Sequence, residues 1–290
     1  MTSYRGRFAP SPTGLLHAGS LVAAMASYLD ARAHDGVWLV RIEDIDPPRD
    51  VPGADRAIIE TLRRLGLTSD EPVLWQHDRY EAYAETLERL KSAGLVYGCA
   101  CSRKEAAERA QALGLPAGVY PGTCRCGTSG RPVRAWRFRT DGEPVTFADR
   151  LAGTFTQNVE KEVGDFVLRR ADGLWAYQLA VVTDDCFQGV TDVVRGADLI
   201  DNTPRQIRLC EALGARPPRY MHLPLVLNSD GQKLSKQQGA VPLNPDDLRG
   251  ETERAWRHLG FEPIGADTQA AFWNTAVNCW KERLEALGIV

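Results

Sequence analysis

The sequence predicts a doubly wound α/β fold, a parallel sheet covered by helices, with a cysteine-bearing insertion and a helical end. Three observations predict it. Strand-like and helix-like runs alternate from Arg7 to Gly94. The run V-W-L-V-R-I, Val37 to Ile42, has the composition of a strand covered on both faces, as parallel strands are. Two Cys-x-Cys pairs, Cys99 with Cys101 and Cys124 with Cys126, lie in a stretch without sheet periodicity. The 290 residues and 43% apolar content allow one large or two moderate domains with a substantial core. No apolar run reaches the roughly 18 residues of a membrane span, so no membrane partner is expected. The N-terminus lacks a signal-peptide pattern, and seven cysteines, an odd number, argue against a secreted disulfide framework. A cytoplasmic protein is expected. A net charge of −3 excludes a global basic field, so any nucleic-acid contact must come from a local patch.

Arg7 to Leu21, R-F-A-P-S-P-T-G-L-L-H-A-G-S-L, begins as a strand, breaks at Pro10 and Pro12, turns on Gly14 and enters a helix near His17. Leu21, Met25, Tyr28 and Leu29 continue with helical spacing. A strand, turn and helix start in sequence make an anion site, because free N–H groups and about half a positive charge sit at the helix N-terminus. His17 adds a donor that titrates near neutral pH, and Gly19 permits close approach of a ligand. An ordinary strand–turn–helix with a solvated histidine would carry the same residues.

The Val37 strand ends at Glu43-Asp44-Ile45-Asp46. Ligands of open α/β sheets bind at such carboxyl ends. Glu43 is placed to hold an ammonium group, whereas Asp44 and Asp46 suit capping or solvation. A helix with Ile58, Leu62 and Leu65 on one face stops at Gly66, and Val73-Leu74-Trp75 is a short third strand. Asp78-Arg79-Tyr80-Glu81 resembles a capping box, followed by a helix face of Tyr80, Tyr83, Leu87 and Leu90.

From Tyr97 to about residue 131 the cysteine pairs suggest one tetrahedral zinc ordering a turn-rich segment. Four thiols without metal remain the alternative. Arg125, Arg131, Arg134, Arg137 and Arg139 form a basic run interleaved with Trp136 and Phe138. Some of the arginines suit a phosphate backbone, while the two aromatics are expected inside an alternating strand. Phe166 to Arg170 and Leu174 to Val181 read as a hairpin on the Asp172-Gly173 turn, with Tyr177 and Gln178 in its second strand. Thr191 to Arg195 returns to the main sheet, Thr203-Pro204-Arg205-Gln206 starts a helix capped by Thr203, and Leu223 to Leu227 is a further strand. Lys233-Leu234-Ser235-Lys236 places two lysines three apart where they can meet a polyphosphate; a solvated lysine pair in a loop would carry the same residues. Trp256, Leu259, Phe272, Trp273, Ala276 and Trp280 belong to a helical core.

Taken together, Arg7 to Ser20 resembles the first signature of class I aminoacyl-tRNA synthetases, with His17-Ala18-Gly19-Ser20 at the H-I-G-H position. Lys233-Leu234-Ser235-Lys236-Gln237 resembles the second, the K-M-S-K-S loop. R-I-E-D-I-D-P-P-R and D-N-T-P-R-Q resemble the glutamyl branch, and the resemblance runs over essentially the full length. Only residues 237–290 follow Lys236, too few for the anticodon-binding domain of a glutamyl-tRNA synthetase. The chain is therefore similar to the shortened paralogues that glutamylate queuosine in tRNA(Asp).

The resemblance implies a Rossmann-type catalytic domain split between 1–75 and 175–240. It implies a tRNA-contacting insertion with the zinc site at 76–174 and a helical region at 241–290 without an anticodon-binding domain. It implies ATP-dependent formation of glutamyl-adenylate and transfer to the cyclopentene-diol of queuosine at the wobble position of tRNA(Asp). Glutamate would be bound by Arg7, Phe8, Ala9, Pro10, Ser11, Glu43, Tyr177 and Arg195, with an arginine clamping its side-chain carboxylate in bidentate fashion. ATP would meet His17, Gly19 and Lys236, with Lys233 and Lys236 stabilising charge on the phosphates and Mg²⁺ assisting. Positioning and electrostatics suffice, since the substrate carboxylate is itself the nucleophile. The family's ligands for one structural Zn²⁺ fall on Cys99, Cys101, Tyr120 and Cys124. Ligand chemistry favours a Cys126 thiolate over a phenol of pKa about 10 as the fourth. A monomer is expected. Two other readings stay open: a minimal synthetase charging tRNA(Glu), and a catalytically silent zinc and RNA-binding module.

Overall fold

The structure, a computed structural model, describes residues 3–225 and 241–289. The first strands and helices are β1 (Arg5–Phe8), α1 (Ala18–Ala33), β2 (Val37–Ile42), α2 (Ala54–Arg64) and β3 (Leu74–Trp75). A 3₁₀ turn at Gln76–Arg79 leads to α3 (Tyr80–Ser92), β4 (Val96–Cys99) and α4 (Arg103–Ala112). Then come β5 (Ala135–Phe138), β6 (Val145–Asp149), β7 (Gly153–Gln157), α5 (Val159–Glu162) and β8 (Val167–Arg169). The chain returns through α6 (Tyr177–Phe187), β9 (Asp192–Gly196), α7 (Thr203–Ala212) and β10 (Arg219–Leu223), and ends in α8 (Leu248–His258) and α9 (Gln269–Ala286).

β1 pairs in parallel with β2, and β2 with β3. β9 pairs in parallel with β10. The two groups meet at Thr191, whose N–H donates to Arg5 O at 2.9 Å and whose Oγ1 accepts from Arg5 N at 2.8 Å. The resulting order, β3-β2-β1 then β9-β10, has its switch point between β1 and β9. Its carboxyl edge there carries Phe8, Ile42 and Gly196. β6 joins the far side of β10 at Tyr220 and carries a hairpin with β7. A separate antiparallel sheet is ordered β4-β5-β8.

One core packs α1, β1, β2 and α2 against the C-terminal helices. Trp256, Phe272, Trp273, Ala276 and Trp280 are buried there, as their spacing predicts. A second core lies under α3, α6, α7 and the insertion strands. Asp30, fully buried in α1, ties the first core together. It accepts from Tyr4 OH, from Arg150 Nη1 at 2.5 Å and Nη2 at 3.0 Å, and from Trp280 Nε1 at 3.3 Å.

Several local expectations change. Tyr177 and Gln178 open helix α6 and lie in no strand. Beyond the Asp172-Gly173 turn only Trp175 pairs back, with Arg169. The continuous apolar run that follows is buried nearly all round, where periodicity cannot separate strand from helix. Asp78 does not cap α3: the 3₁₀ turn runs straight into the helix, and Arg79 at the N-cap gives the helix start no side-chain cap, its Nε donating to Asp184 at 3.2 Å instead. Thr203 is the first residue of α7, not its cap, and its hydroxyl goes to Arg195 instead. The last sheet strand among the described residues is Arg219–Leu223, earlier than the predicted Leu223–Leu227, part of which lies outside them. Trp136 is only half-buried, because the β5–β8 register shifts between Trp136 and Arg137 and breaks the alternation.

Asp30→Ala should cost about 3 kcal/mol, since it removes the near carboxylate of the buried Arg150 guanidinium, leaving only Asp192 at 3.6 Å, and unpairs Tyr4 OH and Trp280 Nε1. The urea midpoint of the variant measures this.

Candidate active site

The first-signature turn is built by backbone bonds. Pro10 O accepts from Glu43 N at 3.0 Å, and Pro12 O from Val51 N at 2.9 Å, so the segment after β1 lies on the segment after β2. Gly14 takes φ +142°, where a side chain would be strained. His17 caps α1, its Nδ1 accepting from Ser20 N at 3.3 Å. The imidazole thus takes one orphan N–H of the helix start and holds a fixed orientation there. His17 and Gly19 are both half-buried, and Ser11 is exposed on the same turn.

Lys233 and Lys236 lie outside the described residues, as do Gly231 and Ser235. The chain returns at Val241, with Pro242 bridged to His17 and Leu243 N donating to Leu16 O at 2.9 Å. The segment following the lysine pair therefore lies against the helix-capping histidine.

At the sheet edge a buried charge network joins β1, β2 and α6. Asp185 accepts from Arg7 Nε at 3.1 Å and from Arg41 Nη1 at 2.7 Å, and Arg41 Nη2 donates to Glu43 Oε1 at 3.0 Å. Burial pushes the Glu43 carboxyl up against the pull of Arg41 and Arg7. Burial acts in the same direction on Asp185, but there the two arginines outweigh it and hold the carboxyl below its ordinary value. Tyr177, on the first turn of α6, feels Glu43, Arg195, Arg7 and Asp185, and its phenol is raised, chiefly by burial. Arg7, Glu43, Tyr177 and Arg195, far apart in sequence, are thus brought to one place. Phe8 and Pro10 are buried beside them and Ala9 is half-buried.

Arg195 is 4% exposed. It donates from Nη1 to Gln206 Oε1 at 2.8 Å, from Nε to His222 Nε2 at 3.1 Å, and from Nη2 to Thr203 Oγ1 at 2.8 Å and Leu199 O at 3.3 Å. Four of the five guanidinium N–H groups therefore have protein partners among the described residues. One N–H on Nη1 is left for a ligand, which is less than the two that a bidentate clamp requires.

In the insertion the sulfurs of Cys99, Cys101 and Cys124 all lie within 4.8 Å of one another, a cluster able to hold a metal ion. The Tyr120 hydroxyl stands 3.2 Å from Cys99 Sγ and 3.8 Å from Cys101 Sγ. Cys126 is exposed and outside the cluster. The Cys124 thiol is held down to about 7: burial opposes this, and hydrogen bonds from Ala100 and Tyr120 overcome it. Three of the five arginines are taken up internally. Arg125 grips Asp165 at 2.6 and 2.5 Å and Glu160 at 2.5 Å. Arg137 donates to Asp165 O at 2.7 Å and stacks on Tyr120, and Arg139 donates to Arg125 O at 2.9 Å. Arg131 and Arg134 are exposed, with Arg131 paired to Glu105 at 2.6 Å.

Sequence reasoning missed Arg41 and Asp185. The available signals were a lone charge inside an apolar strand and an Asp pair, Asp184-Asp185, inside an apolar helix. It also missed His222 and Asp149, for which the sequence holds no signal, and read Gln206 only as part of a helix start and of the D-N-T-P-R-Q motif.

Residues 3–267 match the family described as tRNA synthetases class I (E and Q), catalytic domain. A Glutamyl-Q tRNA(Asp) synthetase of Burkholderia cenocepacia strain HI2424 is 55% identical over 288 residues, covering 97% of each chain. Another, from Dechloromonas aromatica strain RCB, is 56% identical over 282 residues, 96% of this chain and 94% of that one. The fold is similar to a glutamate tRNA ligase from Elizabethkingia meningosepticum solved in complex with its amino acid, with a TM-score of 0.72 and 29% identity. That match covers 84% of this chain and 54% of the ligase, so the chain spans about half the ligase's length. The chain belongs to the class I tRNA synthetases of the E and Q type and, within them, to the glutamyl-Q tRNA(Asp) synthetases.

Proposed function

We propose that the chain is an ATP-dependent ligase that activates glutamate as glutamyl-adenylate. It then transfers the glutamyl group to the cyclopentene-diol of queuosine at the wobble position of tRNA(Asp). The observation that carries this reading is identity of 55% over nearly the whole of both chains with a protein of that name. The buried network of Arg7, Arg41, Glu43 and Asp185 supports it.

In this reading Arg7, Tyr177 and Arg195, with the Phe8 to Ser11 backbone, hold the glutamate, and Glu43 meets its α-ammonium. A charged partner suits Glu43, whose buried carboxylate has only Arg41 within hydrogen-bond reach among the described residues and is pushed toward its neutral form by burial. His17 and Gly19 at the α1 N-terminus face the ATP phosphates, where the helix end favours negative charge. Lys233 and Lys236 stabilise charge on the phosphorus and leaving pyrophosphate, and Mg²⁺, carried by ATP, adds Lewis-acid stabilisation there. The glutamate carboxylate attacks the α-phosphorus, so the chain's own groups bind, orient and neutralise.

Residues 1–75 and 175–240 form the catalytic part, 76–174 the tRNA-contacting insertion, and 241–290 the helical end. Arg131 and Arg134 are the arginines of the basic run left toward RNA. Cys99, Cys101, Tyr120 and Cys124 hold one structural Zn²⁺, for which three thiols and a hydroxyl within reach of two of them make a fitting donor set. The same reading includes a monomer in the cytoplasm, where ATP, glutamate and tRNA are at hand.

Radiolabelled glutamate and ATP should label tRNA(Asp) only when it contains queuosine; label on tRNA(Glu) would select a minimal glutamyl-tRNA synthetase instead. Lys236→Ala should slow adenylate formation about 100- to 1,000-fold, the loss typical of one transition-state donor, with glutamate binding little changed. Near-normal pyrophosphate release would remove Lys236 from this role. For Arg195→Ala, calorimetry should show glutamate binding weakened by about 2–4 kcal/mol, roughly 30- to 1,000-fold. Metal analysis should find zinc lost from Cys124→Ser and kept in Cys126→Ser. Loss from the latter would make Cys126 the fourth ligand in place of Tyr120.

A further inference from the structure

Arg195 does not stand alone. Behind it lies His222 on β10, and behind His222 lies Asp149 at the end of β6. The side chains of His222 and Asp149 expose no surface. Asp149 Oδ2 is 2.6 Å from His222 Nδ1, and the carboxylate also accepts from His222 N at 3.1 Å, Leu151 N at 3.0 Å and Ala152 N at 2.8 Å. Its partners hold the carboxyl below its ordinary value despite burial, so it accepts only. The proton of the imidazole must then sit on Nδ1, which leaves a lone pair on Nε2. That lone pair faces Arg195 Nε at 3.1 Å. An arginine has no acceptor to offer, so no other tautomer fits between these two groups.

We infer that Asp149 and His222 are a positioning pair for Arg195: the carboxylate sets the tautomer of the imidazole, and the imidazole fixes the plane of the guanidinium. The one N–H on Nη1 that the protein leaves over is thereby aimed at the substrate, and this sets selection for glutamate over glutamine. The inference rests on Arg195 meeting the glutamate carboxylate. It needs His222 because a single remaining N–H selects a carboxylate only if the guanidinium cannot rotate. Thr203 and Gln206 hold Nη2 and Nη1, while His222 alone holds Nε. Since Asp149 comes from the β6–β7 hairpin and Arg195 from β9, the pair also ties glutamate selection to the placement of that hairpin against β10.

The test uses the full chain with its own substrates. His222→Asn keeps a donor for Asp149 and removes the acceptor for Arg195, whereas His222→Gln places an amide oxygen near the position of Nε2. Asp149→Asn offers Nδ1 an N–H in place of an oxygen, and so turns Nε2 into a donor against Arg195. His222→Asn and Asp149→Asn should each raise the KM for glutamate at least about tenfold, with kcat changed less than about threefold and with less discrimination against glutamine. His222→Gln should stay within about threefold of the unsubstituted protein in KM, a rescue that a purely packing role would not produce. Nitrogen NMR of the unsubstituted protein should show the proton of His222 on Nδ1. A proton on Nε2 would overturn the inference whether or not any variant folds. Unchanged KM and unchanged discrimination in folded His222→Asn and Asp149→Asn, beside weakened binding in Arg195→Ala, would overturn the positioning pair and leave the clamp standing. Unchanged glutamate binding in Arg195→Ala would instead remove the clamp on which the pair depends.

Discussion

Two arginines and two carboxylates, buried together at the carboxyl ends of adjacent strands, set the terms for the surrounding structure. Removing such charges from water costs several kcal/mol per ion, and only close, well-directed partners offset it. Asp185 supplies that for Arg7 and Arg41 at once. Arg41 can serve only if β2 lies beside β1 in its observed register, with Arg7 opposite Leu39. Asp185 can serve only if α6 is delivered over the strand ends, which also fixes Tyr177 at the helix start. The network and the sheet order therefore specify one another. A shift of one residue along β2 would turn Arg41 to the other face and leave Asp185 with a single cation.

The balance of the network bears on what it can bind. Its formal charges cancel, so the network creates no strong net field, and under the proposed function a zwitterionic amino acid with an extra carboxylate must find individual partners. Glu43 is the member that gains most from a ligand, being pushed toward neutrality by burial. Arg195 lies at the end of β9, across the switch point, and is held on three of its nitrogens by protein groups. Such a site is preorganised: the cost of ordering long side chains falls on folding and not on binding.

The alternation of strands and helices, the parallel sheet and the apolar faces of the C-terminal helices were legible because each is a periodic signal that spans many residues. Glu43 was legible because it ends an apolar strand. Tyr177, a candidate glutamate contact, is expected in a strand but opens α6, since a continuously apolar run has the same appearance in a buried strand and a buried helix. Arg41, Asp185, His222 and Asp149 were not legible as a site. Their significance lies in pairings that cross from one strand to another, such as Asp149 with His222, and no local pattern encodes these. The arginine run shows the converse limit. A cluster of like charges reads as a surface patch, but Arg125 and Arg137 are turned inward by the buried Asp165, which lies far along the chain, and Arg139 donates to Arg125 O.

The cysteine spacing announces four candidate sulfurs, and three of them come together. Cys124 and Cys126 look equivalent in sequence, but the turn that contains them separates their side chains. Arg125 N donates to Gly122 O at 2.9 Å and Gly127 N to Cys124 O at 3.0 Å, so the backbone winds tightly through this point. Arg125 is anchored inward on Asp165, Cys124 is buried against the other sulfurs, and Cys126 is left facing outward. Tyr120 comes in by a different route. Its N–H donates to Val163 O at 3.1 Å, and it bridges to Gly164, whose φ is +75°. A Cβ on Gly164 would lie 2.3 Å from Tyr120 O, so only glycine lets the tyrosine backbone approach closely enough to bring its hydroxyl to Cys99. A glycine forty-odd residues downstream thus lets the Tyr120 hydroxyl stand beside the three sulfurs, and ligand chemistry alone, which ranks a thiolate above a phenol, has no access to that constraint.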